Sequence, residues 1–598
     1  MHRFLEFAES EVRFVDPVGF EWASGVTLKR TWNGDVCSVT VMNSHSSNAV
    51  RIKEIVLFKG AMPFNPSTEI YGEGYSKLSQ YVGTVSRPRD MCHFSDRAHY
   101  RLPIVEGLFT VYNMLLLSPQ DGDKVLIAFA SCHRFSGEIR FNEREYEIVL
   151  DYEGLVLEPG QTVDLEEILF ASGPDAATLT DRLGEAINRH HPKLPFPEAP
   201  SGWCSWYTYG PEVTESDIYS NLQAIKEKLP ELKYVQIDEG YAAYEGDWLD
   251  QGQSFPGGIR SLSEKIRELG FEPAIWVGPF LAEMNARVVR EHPEWFKQDG
   301  EGKPLRSDIH SFGGWYHGPW YMLDGTHPGA QGYLRHVFHT MRHEWKIKYF
   351  KMDGTMWGAL PFGRHHDPKA TRVEAYRAGM KAIREGAGED SFLLGCNAPI
   401  WPSLGTVHGM RLSNDIARNW EHISQIAREM FRRNWQHGKL WINDPDVVVL
   451  ENQTRRQLGP DGMWIESSDS VTPDEYRFHA TAIFASGGMV LSGDSIPNML
   501  PESVEIIRKL LPPVNKAAIF EDTMFSVGYT QVQDRVLVSV LNWEDEPRDF
   551  RVRLDGAYRV TSLWTDDLLG THVGSLELTS VPPHSGSVYV CVPVSGEG

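Results

Sequence analysis

The stretch "YFKMDG" (residues 349–354) places an aromatic pair and a lysine before one aspartate and then stops on glycine. Lys351 and Asp353 are two positions apart, so on a strand both charges face the same side while Met352 faces the other. Two charges at the C-terminal end of an otherwise apolar strand are either an ion pair that holds the fold or one half of an active site. The remainder of the chain has to decide between these.

Seven further short apolar runs share this grammar: "WCSWY" (203–207), "YVQID" (234–238), "EPAIWVGP" (272–279), "SFLLGCN" (391–397), "GMRLSND" (409–415), "KLWINDPD" (439–446) and "GMVLSGD" (488–494). Between most of them lie segments with apolar residues at helical spacing, such as "ESDIYSNLQAIKEKL" and "RVEAYRAGMKAIREG". Eight strands alternating with helices predict a central (β/α)8 TIM-type barrel over residues 196–513. The link from the fifth strand to the sixth leaves room for only one helical turn. Residues 281–327, including "FGGWYHGPWYMLDG", read as an insertion over the mouth.

The flanks are written differently. Up to residue 195 come short β-rich runs such as "VCSVTVMN", "KVLIAFA" and "YEIVLDYE", separated by Gly, Pro, Asn and Asp; they predict an N-terminal antiparallel β-sandwich. "KLPFPEAPSG" (193–202) reads as the linker. β runs return in "TQVQDRVLVSVLNW", which predicts a small C-terminal antiparallel β domain over 514–598. The whole is a multidomain α/β chain.

Composition narrows the function. With 598 residues the chain is too long for one core. Its net charge is −23, from 81 acidic and 58 basic side chains, with no basic run; that argues against nucleic acid and for a neutral or cationic ligand. "MHRFLEFAESEVRF" lacks a signal-type apolar stretch, and no apolar run is long enough to span a membrane. The six cysteines form no CxxC pattern, which fits reduced thiols in a cytoplasm. The oligomeric state, a homo-oligomer included, stays open.

At the C-terminal tips of the eight runs stand Trp206, Asp238-Glu239, Trp276, Lys351 with Asp353, Cys396-Asn397, Arg411 with Asp415, Asp444 with Asp446, and Asp494. In a barrel that face carries the chemistry. Each tip taken singly also has a structural reading. Asp444, Asp446 and Asp494 suit turns or caps, Trp276 and Cys396 suit a core, and His365-His366 in "GRHHDP" suit a loop rather than a metal. "GEGYS" (72–76) precedes no helix and lacks the lysine of a phosphate loop. Together the tips read otherwise, because buried carboxylates are costly unless paired. Two aspartates on nearby strands, with Lys351 and Arg411 between them, suit glycoside hydrolysis. That reaction needs one ionised carboxylate and one carboxylic acid, with no metal or cofactor. Lys351 would hold Asp353 ionised and donate to a sugar hydroxyl, and tryptophan faces would take the apolar side of the ring.

The series "GWCSWYTYG…YVQIDEGY…AIWVGPF…YFKMDG…FLLGCNAPIWPSLGTVHGMRLSNDIA…WINDPD" resembles glycoside hydrolase family 36 of clan D, the microbial α-galactosidases, above all the compact bacterial type. The likeness covers roughly residues 200–500, and the flanks more loosely. It implies that Asp353 is the nucleophile and Asp415 the acid/base of a retaining α-glycosidase. The substrate would be an oligosaccharide or other glycoside with a terminal α-galactosyl residue. It implies sugar-binding roles for Trp206, Asp238, Glu239, Trp276, Lys351, Cys396, Asn397 and Arg411, and for Tyr71 in "EIYGEGYS", an aromatic lent by the N-terminal domain. α-N-Acetylgalactosaminidase, another α-glycosidase or a galactosyl transferase remain open on the same mechanism, and a carbohydrate-binding protein without activity is the rival from another class. Three positions depart from the family pattern: Glu239 stands where a second aspartate is usual, Gly354 opens space after the nucleophile, and Asn397 and Trp401 stand where small residues are usual.

Overall fold

The computed structural model describes residues 8–15, 25–315, 318–458 and 464–594. The first seven residues of the N-terminal reading, and Tyr316 and His317 of the mouth insertion, lie outside the described residues.

The centre of the molecule is a nearly closed, eight-stranded parallel sheet. Its strands are β1 (Ser201–Cys204), β2 (Tyr234–Ile237), β3 (Glu272–Val277), β4 (Tyr349–Met352), β5 (Phe392–Gly395), β6 (Gly409–Arg411), β7 (Ile442–Asp444) and β8 (Val490–Ser492). They pair in sequence order, and β8 returns to β1. Between β7 and β8 the seam is bridged by Met489 N donating to Asn443 O at 2.9 Å and by the Val448–Ser492 bridge. Almost every strand residue is buried because helices cover the outer face and side chains fill the inner one, which is why these runs read as continuously apolar.

Local chemistry sets the helix starts. Thr214 with Asp217, Thr371 with Glu374 and Thr472 with Glu475 each form a reciprocal capping box that opens a barrel helix. From β5 to β6 there is only the 3₁₀ turn Trp401–Ser403. The mouth insertion includes a two-stranded ribbon, Leu281–Glu283 with Trp320–Met322.

The strands among residues 9–14 and 26–173 form two antiparallel sheets. They face each other through Phe58 of one sheet, whose ring lies 5.1 Å from Phe170 and 6.0 Å from Trp32 of the other. Helix Ala176–His190 then leads to the barrel. At the other end, residues 519–593 form one six-stranded antiparallel sheet with its own apolar cluster around Val538, Val552 and Leu576. It docks on helix Pro473–Ser486, where Trp564 Nε1 donates to Thr481 Oγ1 at 3.0 Å. All six cysteines are free thiols. Among the described residues no helix is long and apolar enough to cross a membrane.

Candidate active site

Register brings the charged tips together. Trp276 on β3 pairs with Lys351 on β4, and Arg411 on β6 pairs with Asp444 on β7, so the members of each pair stand side by side at the barrel mouth.

Asp353 follows β4 directly. Trp276 Nε1 donates to its Oδ2 at 3.2 Å, while Asn397 Nδ2 (2.8 Å) and Gly354 N (2.7 Å) donate to its Oδ1. Trp276 is therefore a core residue, 1% exposed, and at the same time a donor to the carboxylate. Asn397 reaches Asp353 from a left-handed backbone, φ 40°, a region that asparagine tolerates better than most residues. Gly354 also has positive φ, 58°, and the space beside it is filled rather than open: a Cβ there would meet Leu281 Cδ2 at 2.6 Å and Trp315 Cη2 at 3.6 Å.

Lys351 does not pair with Asp353. Its Nζ donates at 2.9 Å to Oδ2 of Asp238, which also accepts from Gln236 Nε2 at 2.6 Å. The reason is reach. Asp353 lies past the strand end and turns toward β3 and β5, while the four-carbon lysine stem extends across the mouth to the tip of β2. Burial works against the ammonium, but the groups around it, Asp238 foremost, together outweigh burial and hold the lysine well above its ordinary range.

Arg411 is a hub. It bonds Asp415 Oδ1 through Nη1, Asp444 Oδ2 through Nε and Asp446 Oδ1 through Nη2, each at 2.9 Å. Asp444 and Asp446 thus serve as counter-charges rather than only as turn residues. The Tyr207 hydroxyl also donates to Asp446. Asp494 is bound by Arg418 Nη2 at 2.6 Å and Leu450 N at 2.6 Å, a structural pairing. Cys396 lies within the cluster, its thiol pushed up to about 12 chiefly by burial. Trp206 opens a short helix, Trp206–Tyr209, just after β1.

Asp415 is 54% exposed at its side chain and has a second cationic partner, Lys77, whose Nζ donates to Oδ1 at 3.0 Å. Desolvation pushes this carboxyl up, but Lys77 and Arg411 outweigh it and hold it well below the usual carboxylate range. Lys77 comes from the N-terminal sheets, at the tip of the hairpin that joins strands Glu69–Glu73 and Gln80–Thr84. "GEGYS" therefore builds a hairpin tip. Gly74 lets the chain close on itself, since a Cβ there would meet Ser79 O at 2.4 Å. Asp96 accepts from Ser76 N at 2.8 Å, and the barrel's Arg433 grips Glu73 Oε2 (2.7 Å), Ser79 O (2.9 Å) and Lys77 O (3.2 Å). Tyr71 lies outside the site cluster. Its hydroxyl donates to Glu73 at 2.9 Å, and Arg432 sits over its ring at 5.7 Å.

Glu239 has neighbours that sequence reasoning missed. Trp315 of the mouth insertion donates its Nε1 to Glu239 Oε2 at 2.9 Å. Trp315 stands in an aromatic wall with Trp320 (4.5 Å) and, behind that, Trp357 (5.1 Å from Trp320). Glu245 also contacts Glu239, and both carboxyls are pushed up mainly by burial; for Glu245 the charges of Glu239 and Glu283 add to it. Apart from the Trp320 indole no donor serves the Glu245 oxygens, so the two carboxyls touch with a proton between them. Glu245→Gln, which mimics the protonated form, tests this. Below the ordinary carboxyl range both the folded and the unfolded chain are protonated. As the pH rises the unfolded chain ionises first, so the pair costs stability progressively toward and past neutrality. The variant is expected to lose less stability than the parent over that rise, read from melting temperature against pH. Parallel curves would mean that no proton is shared.

Residues 238–379 match the model of the melibiase family. Among curated proteins, the chain is 25% identical over 162 residues to the myogenesis-regulating glycosidase of Mus musculus, covering 27% of this chain and 22% of that one. It is 26% identical over 179 residues to the A type blood α-D-galactosamine galactosaminidase of Flavonifractor plautii, covering 28% and 16%. The chain therefore spans less than a quarter of the length of either relative. In fold it is similar to the α-galactosidase of Thermus thermophilus solved with p-nitrophenyl α-D-galactopyranoside, with a TM-score of 0.60 and 20% identity over 86% of this chain and 98% of that one.

Proposed function

We propose that the chain is a retaining α-glycosidase that removes terminal α-D-galactosyl residues from oligosaccharides or simpler glycosides. The carrying observation is the pair Asp353 and Asp415, on the tips of β4 and β6 at one barrel mouth. Asp353 is held by three N–H donors, and Asp415 is half exposed to solvent while bound by Lys77 and Arg411. Asp353 attacks the anomeric carbon while a proton from Asp415 goes to the departing oxygen; Asp415 then takes a proton from water, which releases the sugar with its configuration kept. The melibiase match and the galactoside in the Thermus thermophilus structure support galactose as the sugar. We assign the chain to family 36 of clan D from the Lys-x-Asp and Arg-x-x-x-Asp spacing. We read it as three domains: a β-sandwich (1–195), the barrel (196–513) and a C-terminal β domain (514–598). Six free thiols suit the cytoplasm.

The direct test is a panel of nitrophenyl α-glycosides, with NMR of the first-formed product. The α-anomer of galactose is expected; a β-anomer would end the retaining assignment, and a preference for N-acetylgalactosaminide would move the substrate. A second test concerns Asp415. An acid matters most when the leaving group is poor, so Asp415→Ala should slow hydrolysis of an unactivated disaccharide about a hundredfold more than that of an aryl glycoside. Equal losses would make Asp415 a binding residue.

A further inference from the structure

Lys77 has no role in the mechanism above, yet its ammonium sits inside the catalytic cluster. Its side chain is 3% exposed; Nζ lies 3.0 Å from Asp415 Oδ1 and 3.8 Å from Cys396 Sγ, and it feels the charge of Asp353 as well. The hairpin that carries it is held by the barrel. Arg433 bonds the backbone carbonyls of Ser76, Lys77 and Ser79, and Ile400 N donates to Tyr75 O at 2.8 Å. A lysine presented so rigidly across a domain boundary is aimed rather than incidental.

We propose that Lys77 is a positioning residue that keeps Asp415 docked as a carboxylate beside Arg411 and so decides when that group carries its proton. This rests on the hydrolytic reading of the site. Both cations hold the same oxygen, Oδ1, which leaves Oδ2 as the oxygen that gives its proton to a departing group and takes one from water. With Lys77 in place the ionised form is favoured. The water-activating step is then favoured at neutral pH, while protonation of a poor leaving group is pushed to more acid conditions. The other groups that face Asp415 are Arg411 on β6, Lys351 on β4, Tyr207 after β1 and Asp446 after β7; Cys396 after β5 faces Lys77, and His422 contacts the Asp415 backbone oxygen. Among the cations here, Lys77 alone comes from the N-terminal sheets, so those sheets form part of the catalytic unit.

The test is the pH profile of kcat/KM for the full chain and for Lys77→Met, Lys77→Gln and Lys77→Arg, each checked for folding by thermal melting. Removing an opposite charge at this distance moves a carboxyl by about one to three pH units. The basic limb on an unactivated α-galactoside is therefore expected to move up by at least about one unit in the Met and Gln variants. It should stay in place in Lys77→Arg. On an aryl glycoside with a good leaving group the limb should move far less. A ¹³C-carboxyl NMR titration, with Asp415 assigned by its loss in Asp415→Asn, reads the same shift without any substrate. Failure of the parent to cleave any α-glycoside would overturn the function while this titration still judges Lys77. If Asp415 titrates identically in the parent and the neutral variants, and melting alone changes, Lys77 is a tether between domains and the proposal falls.

Discussion

Asp353→Gly is expected to lose at least about a thousandfold in kcat on α-galactosides, roughly 4 kcal/mol of barrier. The substitution deletes the attacking carboxylate and leaves its surroundings standing. Trp276 is buried on its own strand, and the backbone of Asn397 is held by Met356 N, which donates to Asn397 O at 2.8 Å. Glycine adds no atoms to a crowded corner where Leu281 and Trp315 already press on Gly354. Azide fits the vacated volume and can meet the anomeric carbon from the same side, so it should restore measurable turnover and yield the β-galactosyl azide. A variant that keeps activity within about tenfold of the parent, roughly 1.4 kcal/mol, or an α-azide product, would remove Asp353 from the role of nucleophile.

Lys351→Met is expected to destabilise the barrel strongly. The side chains of Lys351 and Asp238 are 5% and 1% exposed, and their contact is 2.9 Å. Deleting the ammonium leaves the Asp238 charge buried with only the Gln236 amide, the Cys204 thiol and the Glu239 backbone N–H around it, and neutral donors do not replace a counter-charge. Breaking a buried pair from one side costs about 3–5 kcal/mol. The double variant Lys351→Met/Asp238→Asn removes both charges and should recover much of that loss, which a double-mutant cycle in denaturant reads as strong coupling. Additive single effects would show that each residue finds its partners elsewhere. Activity stays low in the double variant if the pair also holds the sugar, and this separates the stabilising role from the binding one.

The barrel was legible because its information is local. Each strand is a short apolar run buried on both faces, each helix shows its own period, and the boxes Thr214–Asp217, Thr371–Glu374 and Thr472–Glu475 are written within four residues. A parallel barrel then leaves little freedom, since strand tips must share one mouth, and so the charged ends at 238–239, 351–353 and 411–415 could be gathered from sequence. Pairing among those ends is a different matter. Lys351 and Asp353 share a strand face, yet the lysine spans 113 residues to reach Asp238, because stem length and the direction of the chain past the strand end outweigh proximity in sequence. Glu239 meets Trp315 across 76 residues through an insertion whose path no periodicity describes. The glycines of "EIYGEGYSKLSQ" announce a turn, and resemblance pointed there to Tyr71. Which residue of that hairpin enters the site depends on how the N-terminal sheets dock on Arg433, and docking brings Lys77 to Asp415 across 338 residues. Short-range periodicity specifies elements and their ends. The partner of each buried charge is set by long-range packing, where desolvation forces every charge to find its counter-charge among the groups the fold brings within reach.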